Sequence, residues 1–90
     1  MLSVVSRLRS ESDRKPFLAL SAELATWLKG QPGFVRYELI DGGLAMADRI
    51  EWVSRAEAEQ GNREFAGTPI AAGFAEVVSE SVATLGVLVP

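Results

Sequence analysis

The chain opens with a loose alternation of apolar and polar positions. Leu2, Val4 and Leu8 share one side with Ser6, while Val5 shares the other with Ser3, Arg7 and Arg9. A period of two over Leu2 to Arg9 predicts a strand. The period then changes. Phe17, Leu20, Leu24, Trp27 and Leu28 recur at spacings of three and four, the stripe of an amphipathic helix. Asp13 is placed to cap this helix, and Pro16 is tolerated in a first turn, where its missing N–H would be unbonded anyway. Gly30 and Pro32 end it.

Two further strands are predicted over Phe34 to Asp41 and Met46 to Val53, joined by Gly42-Gly43-Leu44-Ala45. Charge fixes their register. With Asp41 opposite Met46, Glu38 faces Arg49 and Arg36 faces Glu51, two favourable cross-strand pairs at about 0.2–1 kcal/mol each. A slip of one residue sets Glu38 against Asp48. The favoured register sorts the hairpin into two faces. Arg36, Glu38, Arg49 and Glu51 lie on one side with Phe34, Ile40, Ala47 and Val53. Val35, Tyr37, Leu39, Met46, Ile50 and Trp52 lie on the other, with one carboxylate, Asp48.

Ser54-Arg55-Ala56-Glu57 reads as a capping box, in which the Ser oxygen takes the N–H three residues on and Glu57 reaches back. A helix follows to about Phe65, with a thin apolar face of Ala58, Gly61 or Asn62, and Phe65, and Gly67 stops it. Thr68 caps a second short helix with Pro69 in its first position, lined by Ile70, Phe74 and Val77 or Val78. Val82 to Val89 is apolar on both sides, which predicts a strand buried on both faces. The order strand, helix, strand, strand, helix, strand over residues 1–90 predicts a single α+β domain. Two right-handed split crossovers then give the ferredoxin-like βαββαβ plait: a four-stranded antiparallel sheet with its helices on one face. The other face is left bare, and a second copy packed sheet on sheet is its simplest cover.

Composition narrows the chemistry. Ninety residues bury only roughly 60% of the unfolded surface, so a lone copy is marginal. Hydrophobic residues are 48% and charged residues 23%, which argues against disorder. The net charge is -3 with no basic run, making nucleic acid a poor partner. Cys and His are both 0, which removes disulfides, zinc sites, thiolate or imidazole haem ligands and Ser-His-Asp triads together. No carboxylate cluster has metal-ligand spacing, and Gly42-Gly43 lies in a hairpin, where it forms no phosphate loop. No stretch approaches the ~18 apolar residues of a membrane span, and the start lacks a signal-peptide core. The expected location is cytoplasmic.

Gln31-Pro32-Gly33-Phe34-Val35-Arg36-Tyr37-Glu38-Leu39 is similar to a stretch common in small antibiotic-biosynthesis-monooxygenase-like domains. Asp48-Arg49-Ile50-Glu51-Trp52-Val53-Ser54 resembles their acidic-then-Trp-x-Ser strand running into a helix, and Ser79-Glu80-Ser81-Val82 with Leu85-Gly86-Val87 resembles their closing strand. The resemblance covers nearly the whole chain. It implies a dimeric α/β barrel, a pocket between helices and sheet in each subunit, and oxidation of phenols or quinols without flavin or metal. In that chemistry the reduced aromatic molecule itself passes electrons to oxygen, and the protein binds, orients, helps remove a proton and excludes water. Haem-degrading relatives carry a His after the second helix. Here that region reads Ile70-Ala71-Ala72-Gly73-Phe74, so the resemblance does not extend to haem degradation. Many relatives also place a His in the second helix, where this chain has Glu59-Gln60-Gly61-Asn62-Arg63, so either a carboxylate is the base or the substrate arrives already ionised.

Asp48, on the helix-facing side four residues before Trp52, is the candidate base; the plainer alternative is a partner for a helix Arg or a backbone N–H. Tyr37 is a candidate hydrogen-bond donor to a phenolate, or a core Tyr with its hydroxyl at the rim. Trp52, Phe65 and Phe74 are candidate walls for a flat aromatic ligand, or core packing. Asn62 could orient a carbonyl or be a solvated helix residue. Ala58, Gly61, Ala71, Ala72 and Gly73 leave room for either a cavity or close helix packing. Two functions follow: a cofactor-independent monooxygenase of a small aromatic or quinol-type molecule, or a non-catalytic dimeric module binding a small effector or a protein. A lyase or isomerase would need the same base.

Overall fold

A computed structural model of the chain describes residues 1–87, 89 and 90. Its elements run β1 (Leu2–Leu8), a 3-10 turn (Glu11–Asp13), α1 (Arg14–Leu28), β2 (Phe34–Gly42), β3 (Ala45–Trp52), α2 (Arg55–Ala66), α3 (Pro69–Val77) and β4 (Val78–Leu85). The four strands form one antiparallel sheet in the order β2-β3-β1-β4. This is the ferredoxin-like plait, with α2 and α3 together filling the second crossover. No helix among the described residues is long and apolar enough to cross a membrane.

The pleat assigns the two faces. Leu2, Val4 and Ser6 of β1 stand opposite Ile50, Asp48 and Met46 of β3, and opposite Leu85, Ala83 and Ser81 of β4. These look toward the helices. Phe17, Leu24 and Leu28 of α1 are buried over them, as the apolar stripe requires. Phe17 is fully buried and meets Phe74 edge-on at 5.1 Å. Gly73 lets α3 sit against α1, because a Cβ there would come within 2.7 Å of a Leu20 methyl.

The hairpin register is the predicted one, with Asp41 opposite Met46 and Arg36 opposite Glu51. Arg36 bridges Glu51 at 3.4 Å and its own neighbour-but-one Glu38 at 3.5 Å. Glu38 stands opposite Arg49 as expected, but Arg49 donates to the Met1 sulfur at 3.4 Å and the two form no close ion pair. A second correction lies at the start of β2. Phe34 pairs with Trp52 and Arg36 with Glu51, so Val35 is an extra residue, a β-bulge. The bulge reverses the alternation locally. Phe34 packs under the helices against Trp52, while Val35 is exposed, the opposite of the sequence expectation.

Three expectations at element ends also change. Asp13 belongs to the 3-10 turn and makes no side-chain cap. Ser54 does cap α2, accepting the Glu57 N–H at 3.3 Å, but Glu57 does not complete the box; its side chain lies against Gly33, where φ is 79° and a Cβ would collide with the Glu57 carboxylate. Thr68 caps α3 as predicted, accepting from the Ala71 N–H at 3.3 Å. The last strand begins and ends four residues before the predicted span. It starts directly after α3, because pairing with β1 takes Val78 opposite Leu8. It is also not buried on both faces: β4 is the sheet edge, and Val82 is exposed. Val87 and Val89 follow the strand and are exposed; Leu88, expected in it, lies outside the described residues.

The bare face has its own pattern. Ile40, Ala47, Val5 and Val82 stand side by side, one from each strand, in a row across the sheet. Val5 is 52% exposed, Ile40 57% and Val82 68%. Charged pairs flank the row: Arg36 with Glu51 on one side, and Arg7 with Glu80 at 3.2 Å on the other.

Phe17→Ala is expected to cost about 3–5 kcal/mol, a large share of the roughly 5–15 kcal/mol that small domains possess. A urea titration measures it; a loss under about 1 kcal/mol would contradict the central position given to this ring.

Candidate functional site

Between the helices and the sheet lies a hollow of about 570 Å³. Leu2, Val4 and Ser6 of β1 form its floor with Asp48, Ile50 and Trp52 of β3. Trp27 of α1, Gly61, Asn62 and Phe65 of α2, and Phe74 of α3 stand over it. Ser79, Ser81 and Ala83 of β4 border its remaining side, and their exposure marks where it meets solvent. The size suits a small organic molecule, and the lining is mainly apolar.

The walls are aromatic, and their rings meet edge to face or tilted. Trp27 meets Phe65 at 5.7 Å, Phe65 lies 6.4 Å from Phe74, and Trp52 meets Phe34 at 6.1 Å. The expected wall residues Trp52, Phe65 and Phe74 therefore serve as packing and as lining at once. The sequence pattern places Trp27 only in the core stripe of α1. Its position at the end of that stripe, one turn from Gly30, is the signal that it reaches past the core. Asn62 is half-buried and borders the hollow.

Gly61 explains how α2 approaches. A Cβ at this position would fall 2.4 Å from the Trp52 ring, so only glycine lets the helix lie on the indole. Of the small residues, Gly61 and Gly73 thus serve close packing, while Gly61 and Ala71 also border the hollow. The Trp52 Nε1–H is buried with no hydrogen-bond partner among the described residues.

Asp48 lies in the floor beside Val4 and is 7% exposed. Among the described residues it pairs with neither a helix Arg nor a backbone N–H. The Tyr37 hydroxyl donates to its Oδ1 at 2.6 Å. Burial pushes the Asp48 carboxyl above the ordinary carboxylate range, and the Tyr37 bond pulls the other way by stabilising the ionised form. Tyr37 is pushed far above its usual range, first by burial and then by its acceptor Asp48, so the phenol keeps its proton. Tyr37 does not line the hollow. It holds Asp48 from the neighbouring strand, with its hydroxyl committed to the carboxylate. Among the described residues no three His, Cys, Asp or Glu side chains gather as a metal site.

No family model matches the chain, and no curated protein matches it. Solved structures do. The chain superimposes on a protein solved as an antibiotic biosynthesis monooxygenase with a TM-score of 0.73, at 19% identity over 100% of both chains. It carries the antibiotic-biosynthesis-monooxygenase fold. Two further structures share that fold with it. SnoaB, a cofactor-independent oxygenase from Streptomyces nogalater, matches with a TM-score of 0.72 at 16% identity, over 98% of this chain and 91% of that one. A dimeric ferredoxin-like protein from an uncultured marine organism matches with a TM-score of 0.75 at 17% identity, over 99% and 86%.

Gly61→Ala is expected to displace Trp52 or α2, lowering stability by about 1–3 kcal/mol. Urea unfolding followed by tryptophan fluorescence reads both the loss and the altered indole environment. An unchanged midpoint and spectrum would contradict the contact.

Proposed function

We propose that the protein is a cytoplasmic, cofactor-independent monooxygenase-like oxidoreductase of a small aromatic or quinol-type molecule. One observation carries the reading: a desolvated carboxylate, Asp48, in the floor of an aromatic-walled hollow. The monooxygenase-fold neighbours, SnoaB among them, support it.

In this reading the ring of a reduced aromatic molecule lies among Trp27, Trp52, Phe65 and Phe74, with Asn62 available to a carbonyl or hydroxyl. Asp48 takes the phenolic proton. The resulting phenolate gives an electron to dioxygen, and the radical pair joins to form a carbon–oxygen bond. Asp48 returns its proton to the peroxide. Loss of water then leaves the quinone, so one oxygen atom enters the product and the other leaves as water. Tyr37 acts as a positioning residue: its hydrogen bond fixes Asp48 and tunes its proton affinity. The apolar walls keep water from the phenolate.

The same fold serves a binding module, and one feature favours that second reading. Tyr37 spends its hydroxyl on Asp48, so a single ionisable side chain faces the ligand from the floor. A module binds aromatic ligands without consuming oxygen.

We further propose a homodimer formed through the bare sheet face. The apolar row of Ile40, Ala47, Val5 and Val82 needs a cover, and the flanking Arg and Glu residues are self-complementary across a two-fold axis. A neighbour of the same fold is dimeric.

Oxygen uptake with a panel of hydroxynaphthalenes and anthrones tests the activity. Wild type is expected to consume oxygen, and Asp48→Asn to lose about 10²-fold or more of the rate. The active form has Asp48 ionised, so activity falls as pH drops through its elevated pKa. Tyr37→Phe removes a bond that favours the ionised form and moves this acid limb to higher pH. A limb that stays in place would remove Tyr37 from the tuning of Asp48. Light scattering at micromolar concentration is expected to give the mass of two chains, and Val5→Asp, which sets a carboxylate in the apolar row, to give one. A one-chain wild type would refute the dimer.

A further inference from the structure

The ionisable groups around the hollow carry one sign. Asp48 and Glu80 border it, and no Arg or Lys does so among the described residues. Glu80 is answered from outside by Arg7 at 3.2 Å. Asp48 is not answered by a cation, since its hydrogen-bond partner is the uncharged Tyr37 hydroxyl. The aromatic walls add the negative faces of their rings. The first-turn N–H of α3 that belongs to a lining residue, Ala71, is already taken by Thr68 Oγ1 at 3.3 Å.

An anion entering this space gives up its hydration. It meets no positive charge in return and comes to rest above a carboxylate. A neutral hydroxyl meets the opposite situation, because Asp48 can accept its hydrogen bond. We propose that the hollow selects uncharged hydroxyarenes and excludes aromatic carboxylates, with Asp48 as the excluding charge. This rests on the reading of the hollow as an aromatic-binding site and adds a charge criterion to it.

Three probes of nearly one shape test the idea by calorimetry near neutral pH: 2-naphthol, which is neutral; 2-naphthoate, an anion; and 2-naphthylmethylammonium, a cation. Wild type is expected to bind the naphthol at least ~10-fold more tightly than the naphthoate, and the ammonium at least as tightly as the naphthol. Asp48→Asn is expected to narrow the naphthol–naphthoate gap to under ~3-fold. Equal wild-type affinities for naphthol and naphthoate would overturn the charge selection while leaving the aromatic site standing. A gap that persists in Asp48→Asn would overturn the role of Asp48 in it. The ammonium arm uses wild type alone, so it decides the matter even where the variant fails to fold: an ammonium bound more weakly than the naphthol overturns the proposal. If no probe binds, the aromatic-site reading falls, and the charge selection with it.

Discussion

A period of two along β3 sets Met46, Asp48, Ile50 and Trp52 beneath the helices and Ala47, Arg49 and Glu51 on the other side of the sheet. The rest of the architecture depends on that alternation. It supplies the helices with an apolar floor, puts a carboxylate in it, and leaves the opposite surface to charged pairs and one apolar row. A slip of a single residue would bury Arg49 and Glu51 and expose the Trp52 indole. The cross-strand charges of Arg36 and Glu51 therefore protect the site from the far side of the sheet.

Asp48 is an expense in a domain this small. An acid whose pKa rises on folding lowers stability as pH climbs past its unfolded value, since the buried charge must then be carried. The Tyr37 hydroxyl reduces that cost without removing it. Leu or Val at this position would continue the floor made by Leu2, Val4 and Ile50. A carboxylate at this position is the basis of the reading proposed above, and it shares the lining of the hollow with Trp27, Trp52, Phe65 and Phe74.

Much of the fold was legible because its signals are local. The helix stripe of Phe17, Leu24 and Leu28, the caps at Ser54 and Thr68, and the charge register of the hairpin each depend on neighbours within a few residues or one strand away. What the sequence concealed depends on distant partners. The bulge at Val35 follows from how Phe34 packs on Trp52. The early start of β4 follows from pairing with β1, which overrides the apolar run toward Val89. The same division holds at the site. The placement of Asp48 and Trp52 on one strand face followed from spacing, whereas the Tyr37–Asp48 bond joins two strands and the reach of Trp27 depends on where α2 comes to rest.

The seat of α2 on Trp52 ties two properties that could have varied separately. Because a methyl group at Gly61 would collide with the indole, the bulk of one position is the vacancy of the other. A lineage that shrinks the ring to admit a broader guest opens a hole that the helix can fill only by gaining volume at 61, and regaining the ring requires surrendering that volume first. Guest size and helix seating should therefore change as a coupled exchange between these two positions, with either half-step passing through a less stable intermediate.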